Sequence, residues 1–165
     1  MGEIMKIMAS PFNSPFELGI RMVYLLSSLF PRKADLQKLV LLDYAVVYSA
    51  DFGGPESLHT PVPFRGGELY SRRELIQQGL YLMSTKGLVN AINDETGIFF
   101  SAGENSRTIV DSIHASYAIS LGHRCLWAAD RFGDVDSMLL TDQFNEMGHR
   151  WGAEVDPGNS AKELK

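Results

Sequence analysis

The sequence predicts a mainly α-helical chain with a small β-hairpin: a winged-helix-like core of three helices and a wing, followed by C-terminal helices. Three observations carry this reading. Apolar residues recur at helical spacing in segments that open on Ser or Asp. Two β-rich runs, 88–92 and 98–101, flank the polar, glycine-containing stretch 93–97. The hairpin follows directly on the third helix, which is the order of a winged helix.

Residues 1–14 read as an N-terminal arm. Ser14, Pro15 and Glu17 then supply a cap, a first-turn proline and a carboxylate at N3, so the first helix opens there. It stops near Phe30, before Pro31. Glu17, Arg21, Tyr24 and Ser28 share one stripe and nearly everything else is apolar, which predicts burial on most sides. The second helix starts at Asp35, a good N-cap, and runs to about Ser49. Its interior holds Asp43 among Leu39, Leu42, Val46 and Val47, and a carboxylate in such surroundings calls for an ion-pair partner.

Residues 50–70 carry four glycines and three prolines. So long a connection is expected to be an ordered or functional loop, because Phe52, Leu58, Val62, Phe64 and Leu69 are too apolar for a solvated linker. The third helix is expected from the capping box Ser71-Arg72-Arg73-Glu74 to Lys86, with Gly87 at its end. The wing completes a core over 15–104. A C-terminal helical extension over 105–152 begins with a helix capped by Ser106 and breaks near His114–Ser116. It continues with a helix from about Tyr117 to Phe132, turns at 133–136, and ends with a helix from Ser137 to about Trp151. Residues 153–165 read as a flexible tail.

The chain has 165 residues, 45% hydrophobic and 21% charged, as in ordinary globular domains, and can bury roughly 70% of its unfolded surface. Its net charge of −5 excludes a strongly basic nucleic-acid coat. The acidity is concentrated in residues 89–165, with six Lys/Arg against twelve Asp/Glu. The single cysteine, Cys125, excludes an internal disulfide framework and points to a reducing cytoplasm. The stretch 16–30 is too short and too interrupted for a membrane span. The first eight residues, with Lys6 as the one cation, make a poor signal peptide.

No Walker-type phosphate loop and no Gly-x-Ser-x-Gly elbow occurs. His123 and Cys125 are two apart on a predicted helix, about 200° around it, and do not face each other as metal ligands or as a catalytic pair. No catalytic residue, cofactor or metal is therefore expected. Partner-binding positions are expected at Phe52, Leu58, Phe64 and Arg65 of the loop, at Arg72 and Arg73 of the third helix, and at Trp151 near the chain end. Arg72, Arg73, Gln77 and Gln78 also suit a winged-helix DNA-binding regulator. Yet residues 71–86 carry a net charge of only +2, too little for a supporting basic coat.

Several strings taken together resemble a known family. They are Phe16-Glu17-Leu18-Gly19-Ile20-Arg21-Met22, Asp35 through Ala45, Gly53-Gly54-Pro55-Glu56-Ser57-Leu58-His59, Pro63 through Leu69, Arg72 through Ile76, and Ser116 through Trp127. Over roughly residues 15–130 the chain is similar to the middle-component proteins of ABC-three-component systems, the small third subunits of Lamassu-type bacterial anti-phage operons. The resemblance implies a non-enzymatic adaptor that joins an SMC-like or Rad50-like ABC ATPase to an effector, often a nuclease, in a complex that senses foreign DNA. From the residues themselves no membrane association is expected, and the net charge of −5 with the weak cluster on the third helix predicts DNA contact that is weak or made only through the complex. The resemblance supplies fold and docking positions and no catalytic residues.

Overall fold

The computed structural model of the chain describes residues 14–59 and 65–150, with backbone only at 65–70 and 148–150. Its described part is mainly helical, with a small three-stranded antiparallel sheet. Helix α1 spans Pro15–Leu29, strand β1 Ala34–Asp35, α2 Leu36–Val47, and a 3₁₀ turn Ser49–Phe52. Then follow α3 at Arg65–Thr85, β2 at Val89–Asp94, β3 at Gly97–Ala102, α4 at Ser106–Ser112, α5 at Ser116–Phe132 and α6 at Ser137–Arg150.

Local chemistry sets most boundaries. Ser14 Oγ accepts from the Glu17 N–H at 3.1 Å, and α1 ends at an extended Phe30 before Pro31. Asp35 Oδ1 accepts from the Lys38 N–H at 2.8 Å and opens α2. Gly87, at φ +72°, adopts the left-handed conformation that ends α3. In the hairpin Asp94 pairs with Gly97, and Asp94 Oδ1 accepts from both the N–H and the hydroxyl of Thr96, which fixes the turn.

Four expectations change. The third helix does not start at Ser71: α3 already opens at Arg65, so the connection from α2 is shorter than the 50–70 loop and Arg65 belongs to a helix. A Ser-x-x-Glu string fits a cap locally, but here Ser71 lies inside the helix. The second helix ends at Val47, ahead of the 3₁₀ turn. Ser106 is the first residue of α4 while Asn105 takes the cap position. Strand β1 was not expected, since two residues show no periodicity. It pairs antiparallel with β3, Ala34 opposite Phe100 and Asp35 opposite Phe99, so β3 is central in the order β1-β3-β2.

Helix α2 is the hub. Every residue from Lys38 to Val47 is buried, with α3, α5 and α6 packed around it. Helices α1 and α3 cross at Gly19 and Gly79: a Cβ on Gly79 would sit 2.6 Å from the Gly19 nitrogen and 2.7 Å from the Pro15 carbonyl oxygen. Only glycine permits so close an approach. Phe52 plugs the base of α5 and α6, its ring 4.6 Å from that of Phe144 and 6.2 Å from that of Phe132. No described helix is long and apolar enough to cross a membrane.

Candidate functional site

The apolar contact between α1, α2 and α3 is interrupted by three charged side chains. Arg21 of α1, Asp43 of α2 and Arg72 of α3 are only 2%, 1% and 5% exposed. Arg21 grips Asp43 with two parallel bonds, Nε to Oδ1 at 2.8 Å and Nη2 to Oδ2 at 2.9 Å. Arg72 Nη1 donates to the same Oδ2 at 3.1 Å, and its guanidinium lies 5.8 and 5.6 Å from the ring centres of Tyr44 and Tyr48. The expectation that Asp43 is ion-paired is met, with two arginines.

Burial alone would push the Asp43 carboxyl up; Arg21 and Arg72 outweigh it and hold the group below the ordinary carboxylate range. Burial likewise works against the charge on Arg21, and Asp43 overcomes it, so the guanidinium stays ionised. Beside the cluster, His59 and the Tyr117 hydroxyl are hydrogen-bonded at 3.1 Å, and their rings stack. Burial, with help from Arg21 and Arg72, lowers His59 to about 4. Burial raises the Tyr117 phenol to about 12 and pushes the Cys125 thiol up as well. At neutral pH the site therefore holds two guanidinium ions and one carboxylate, with a neutral imidazole, phenol and thiol around them. This arrangement ties three helices together and keeps its protons fixed. Among the described residues no group of three or more His, Cys, Asp and Glu could hold a metal ion.

A strap over residues 49–59 closes the cluster from one side. Ser49 Oγ donates to the Pro55 carbonyl at 2.8 Å, and the His59 N–H donates to the Val47 carbonyl at 3.1 Å. Arg124 of α5 donates twice to the Glu56 carbonyl, at 3.0 and 2.7 Å. The Trp127 ring lies directly on Gly54, where any Cβ would collide with it. Trp127 is thus half-buried against the core.

The expected partner-binding residues are distributed differently from one another. Phe52 is in the core and Leu58 packs partly buried against it. Arg72 is buried on Asp43 and offers no outer surface, whereas Arg73 is exposed and donates to Gln37 Oε1 at 2.7 Å. Arg65 opens α3, and its side chain lies outside the described residues, as do Phe64 and Trp151. The expected arm over 1–14, apart from Ser14, and the tail over 153–165 also lie outside them. On α5, Cys125 is buried while His123 is exposed, so the two do face apart. Sequence reasoning missed Arg21 as the grip on Asp43 and His59 as the partner of Tyr117; no local signal marks either pairing.

Among the described residues apolar side chains reach the outer surface in several places, Tyr81, Phe30, Leu126 and Ile98 among them at 74%, 68%, 58% and 57% exposure. A cavity of about 900 Å³ runs beside Phe30 and Leu126, with Ser27, Asn90 and Arg107 among its lining. On α6, Met138 and Leu139 are 79% and 53% exposed.

No curated protein and no solved structure matches the chain. The family model described as ABC-three component (ABC-3C) system Middle Component 2 matches residues 11–154, beyond the stretch on which the sequence resemblance rests. The match takes in α1 through α6, including all three residues of the buried charge cluster, and on that extent the chain belongs to the ABC-three component system Middle Component 2 family.

Proposed function

We propose that the chain is a non-catalytic adaptor that bridges an SMC- or Rad50-like ABC ATPase and a nuclease-class effector in a cytoplasmic, Lamassu-type anti-phage complex. The observation that carries this reading is the family match over residues 11–154, since a component of a three-component system implies partner subunits. The interior supports it. Its buried Arg21, Asp43 and Arg72 are engaged with one another and buried Lys38 with the Gly133 carbonyl, while apolar side chains remain on the outer faces of α5 and α6.

The order α1-β1-α2-α3-β2-β3, with β3 central, supports a winged-helix core. Winged helices dock proteins as well as DNA, so the fold alone does not decide between adaptor and DNA-binding regulator. The surface favours the adaptor. With Arg72 buried, the described open side of α3 over residues 73–78 holds Arg73, Glu74, Gln77 and Gln78, a weak basic footprint.

The test is co-expression of the tagged chain with the ABC and effector subunits of its system. All three should co-elute, and the isolated chain should bind a duplex oligonucleotide more weakly than about 10⁻⁶ M at physiological salt. Elution of the chain alone, together with tighter duplex binding that is lost in Arg73→Glu, would replace the adaptor with the regulator.

A further inference from the structure

We propose that β2 is a self-pairing edge: two copies of the chain join antiparallel along their β2 strands, with Ile92 facing its own counterpart at the two-fold axis. This pairing goes beyond the adaptor reading and does not depend on it.

The sheet has two unequal edges. Strand β1 is two residues long and runs straight into α2. Strand β2 is six residues long and has no partner strand on its outer side among the described residues. Natural edges of that length are usually blunted by proline, lysine or a bulge. Strand β2 has none of these. Its sequence is Val89-Asn90-Ala91-Ile92-Asn93-Asp94, and its register with β3 runs unbroken from Val89 opposite Ala102 to Asp94 opposite Gly97. The Gly103 N–H donates to the Leu88 carbonyl at 3.0 Å, which sets the phase of the ladder. Leu88, Asn90, Ile92 and Asp94 therefore turn their backbone groups toward β3, and Val89, Ala91 and Asn93 turn theirs away. Val89 is 2% exposed, which closes that end, whereas residues 90–94 are all exposed. The open edge is thus Ala91 and Asn93, one residue on either side of Ile92.

That spacing selects a second copy. In an antiparallel pair the outward groups of one strand must meet outward groups of the other. Ala91 opposite Asn93 satisfies this on both sides of the axis, and each such pair exchanges both N–H···O bonds. Centring on Ala91 instead would need the buried Val89. Ile92 then meets Ile92 of the other copy in the close, non-hydrogen-bonded position. Ile92 already lies opposite Phe99 across the β2–β3 ladder, so the two copies build one apolar row, Phe99, Ile92, Ile92, Phe99. At both ends Asn90 falls opposite Asp94, an amide donor against a carboxylate. Asp94 is already answered by Lys33 at 3.0 Å, and Lys33 lies over the Phe99 ring at 4.5 Å. No like charges face each other along the paired strands. Every match comes from the chain's own sequence. From Gly87 to Gly103 the charged residues are Asp94 and Glu95, so a phosphate backbone laid along this edge would meet carboxylates.

The experiment is sedimentation velocity on the full chain over a concentration series. Wild type should form a dimer that dissociates on dilution. Ile92→Lys and Ile92→Glu each set like charges face to face and should weaken the dimer at least about tenfold. A 1:1 mixture of those two variants should restore it, because the axis then carries opposite charges. Ala91→Pro removes one outward N–H without touching the β3 ladder and should weaken the dimer too. Melting curves verify that each variant is folded. A wild type that stays monomeric up to about 10⁻⁴ M would overturn the proposal. So would a dimer that all three variants retain, which puts the contact elsewhere, or charge variants that fail to complement, which removes Ile92 from the axis. A chain that is monomeric alone, and whose co-elution with the ABC or effector subunit is lost in Ala91→Pro, would give the edge to a strand of that subunit instead.

Discussion

Truncating Asp43 to alanine removes the acceptor on which α1 and α3 converge. Three charge-assisted bonds of 2.8, 2.9 and 3.1 Å vanish, and two guanidinium groups, 2% and 5% exposed, lose the carboxylate between them. Water does not reach either well enough to compensate. Breaking a buried pair in this way costs about 3–5 kcal/mol, because the surviving charge stays desolvated. At this chain length that lowers the melting temperature by about 6–20 °C. Arg73→Ala is the contrast: the arginine is exposed and its described bond goes to Gln37, so its loss should cost below about 1 kcal/mol. The assay is urea and thermal unfolding followed by circular dichroism. The cluster also has an acid limit. The folded Asp43 carboxyl lies below its unfolded value near 3.9, so its stabilisation is present above that value and lost as pH falls through the folded one. An Asp43→Ala protein within 1 kcal/mol of wild type at neutral pH would refute the argument that the trio ties the helices together.

Two further perturbations follow from the same geometry. His59 is lowered by burial and the two arginines to about 4, against about 6.5 unfolded; the unfolded chain therefore binds more protons between these values, and wild-type stability should decline as pH falls from about 6.5 to 4. Screening on the open side of the half-buried ring keeps the loss under about 3 kcal/mol. His59→Gln should flatten the slope of urea midpoint against pH in that window, and equal slopes would show that His59 is solvated. Gly79→Ala should destabilise by about 1–3 kcal/mol despite alanine's better helix propensity, because the new methyl meets the backbone of α1. In Gly122→Ala the nearest group is the Tyr24 ring at 3.9 Å, so the same propensity gain should be expressed as unchanged or slightly raised stability. A higher melting temperature in Gly79→Ala would contradict the close crossing.

Features encoded within a few residues were legible. The Ser14–Glu17 start, the Asp35 cap, Gly87 at the end of α3, the hairpin turn and the break before α5 each rest on short-range chemistry, and the structure has each in place. Elements that depend on distant partners were not. Strand β1 exists because β3 offers it a ladder. The early start of α3 ran against its own signals, two glycines and a cap-like string further on. Asp43 was visible as a carboxylate needing a partner, but Arg21 is 22 residues away and Arg72 is 29, and each had a sufficient local explanation. Arg21 fitted a polar stripe with Glu17 and Ser28; Arg72 fitted a capping-box string and an outward, partner-binding position. Burial, which separates Arg72 from its neighbour Arg73, is a property of the packed chain.

The relation between the buried trio and the outer faces is one of positioning. Apolar side chains of equal volume are often as stabilising as a buried ion pair, or more so, so the trio's contribution is better sought in geometry. A bidentate Arg21–Asp43 pair accepts one alignment of α1 against α2, and Arg72 adds the alignment of α3. The hub so fixed carries α6 through the Phe52–Phe144 stack and the bonds at Asp35 and Gln37. The outer face of α6 therefore stands at a defined place relative to the outer face of α3 and the hairpin. On this argument, and on the adaptor reading, the Asp43→Ala chain should bind its partner subunits more weakly than its folded fraction explains, while a chain with Arg21→Met, Asp43→Leu and Arg72→Met, if as stable as wild type, isolates alignment from stability. Full binding by that apolar triple variant would reduce the trio to one of several equivalent ways to fill the core.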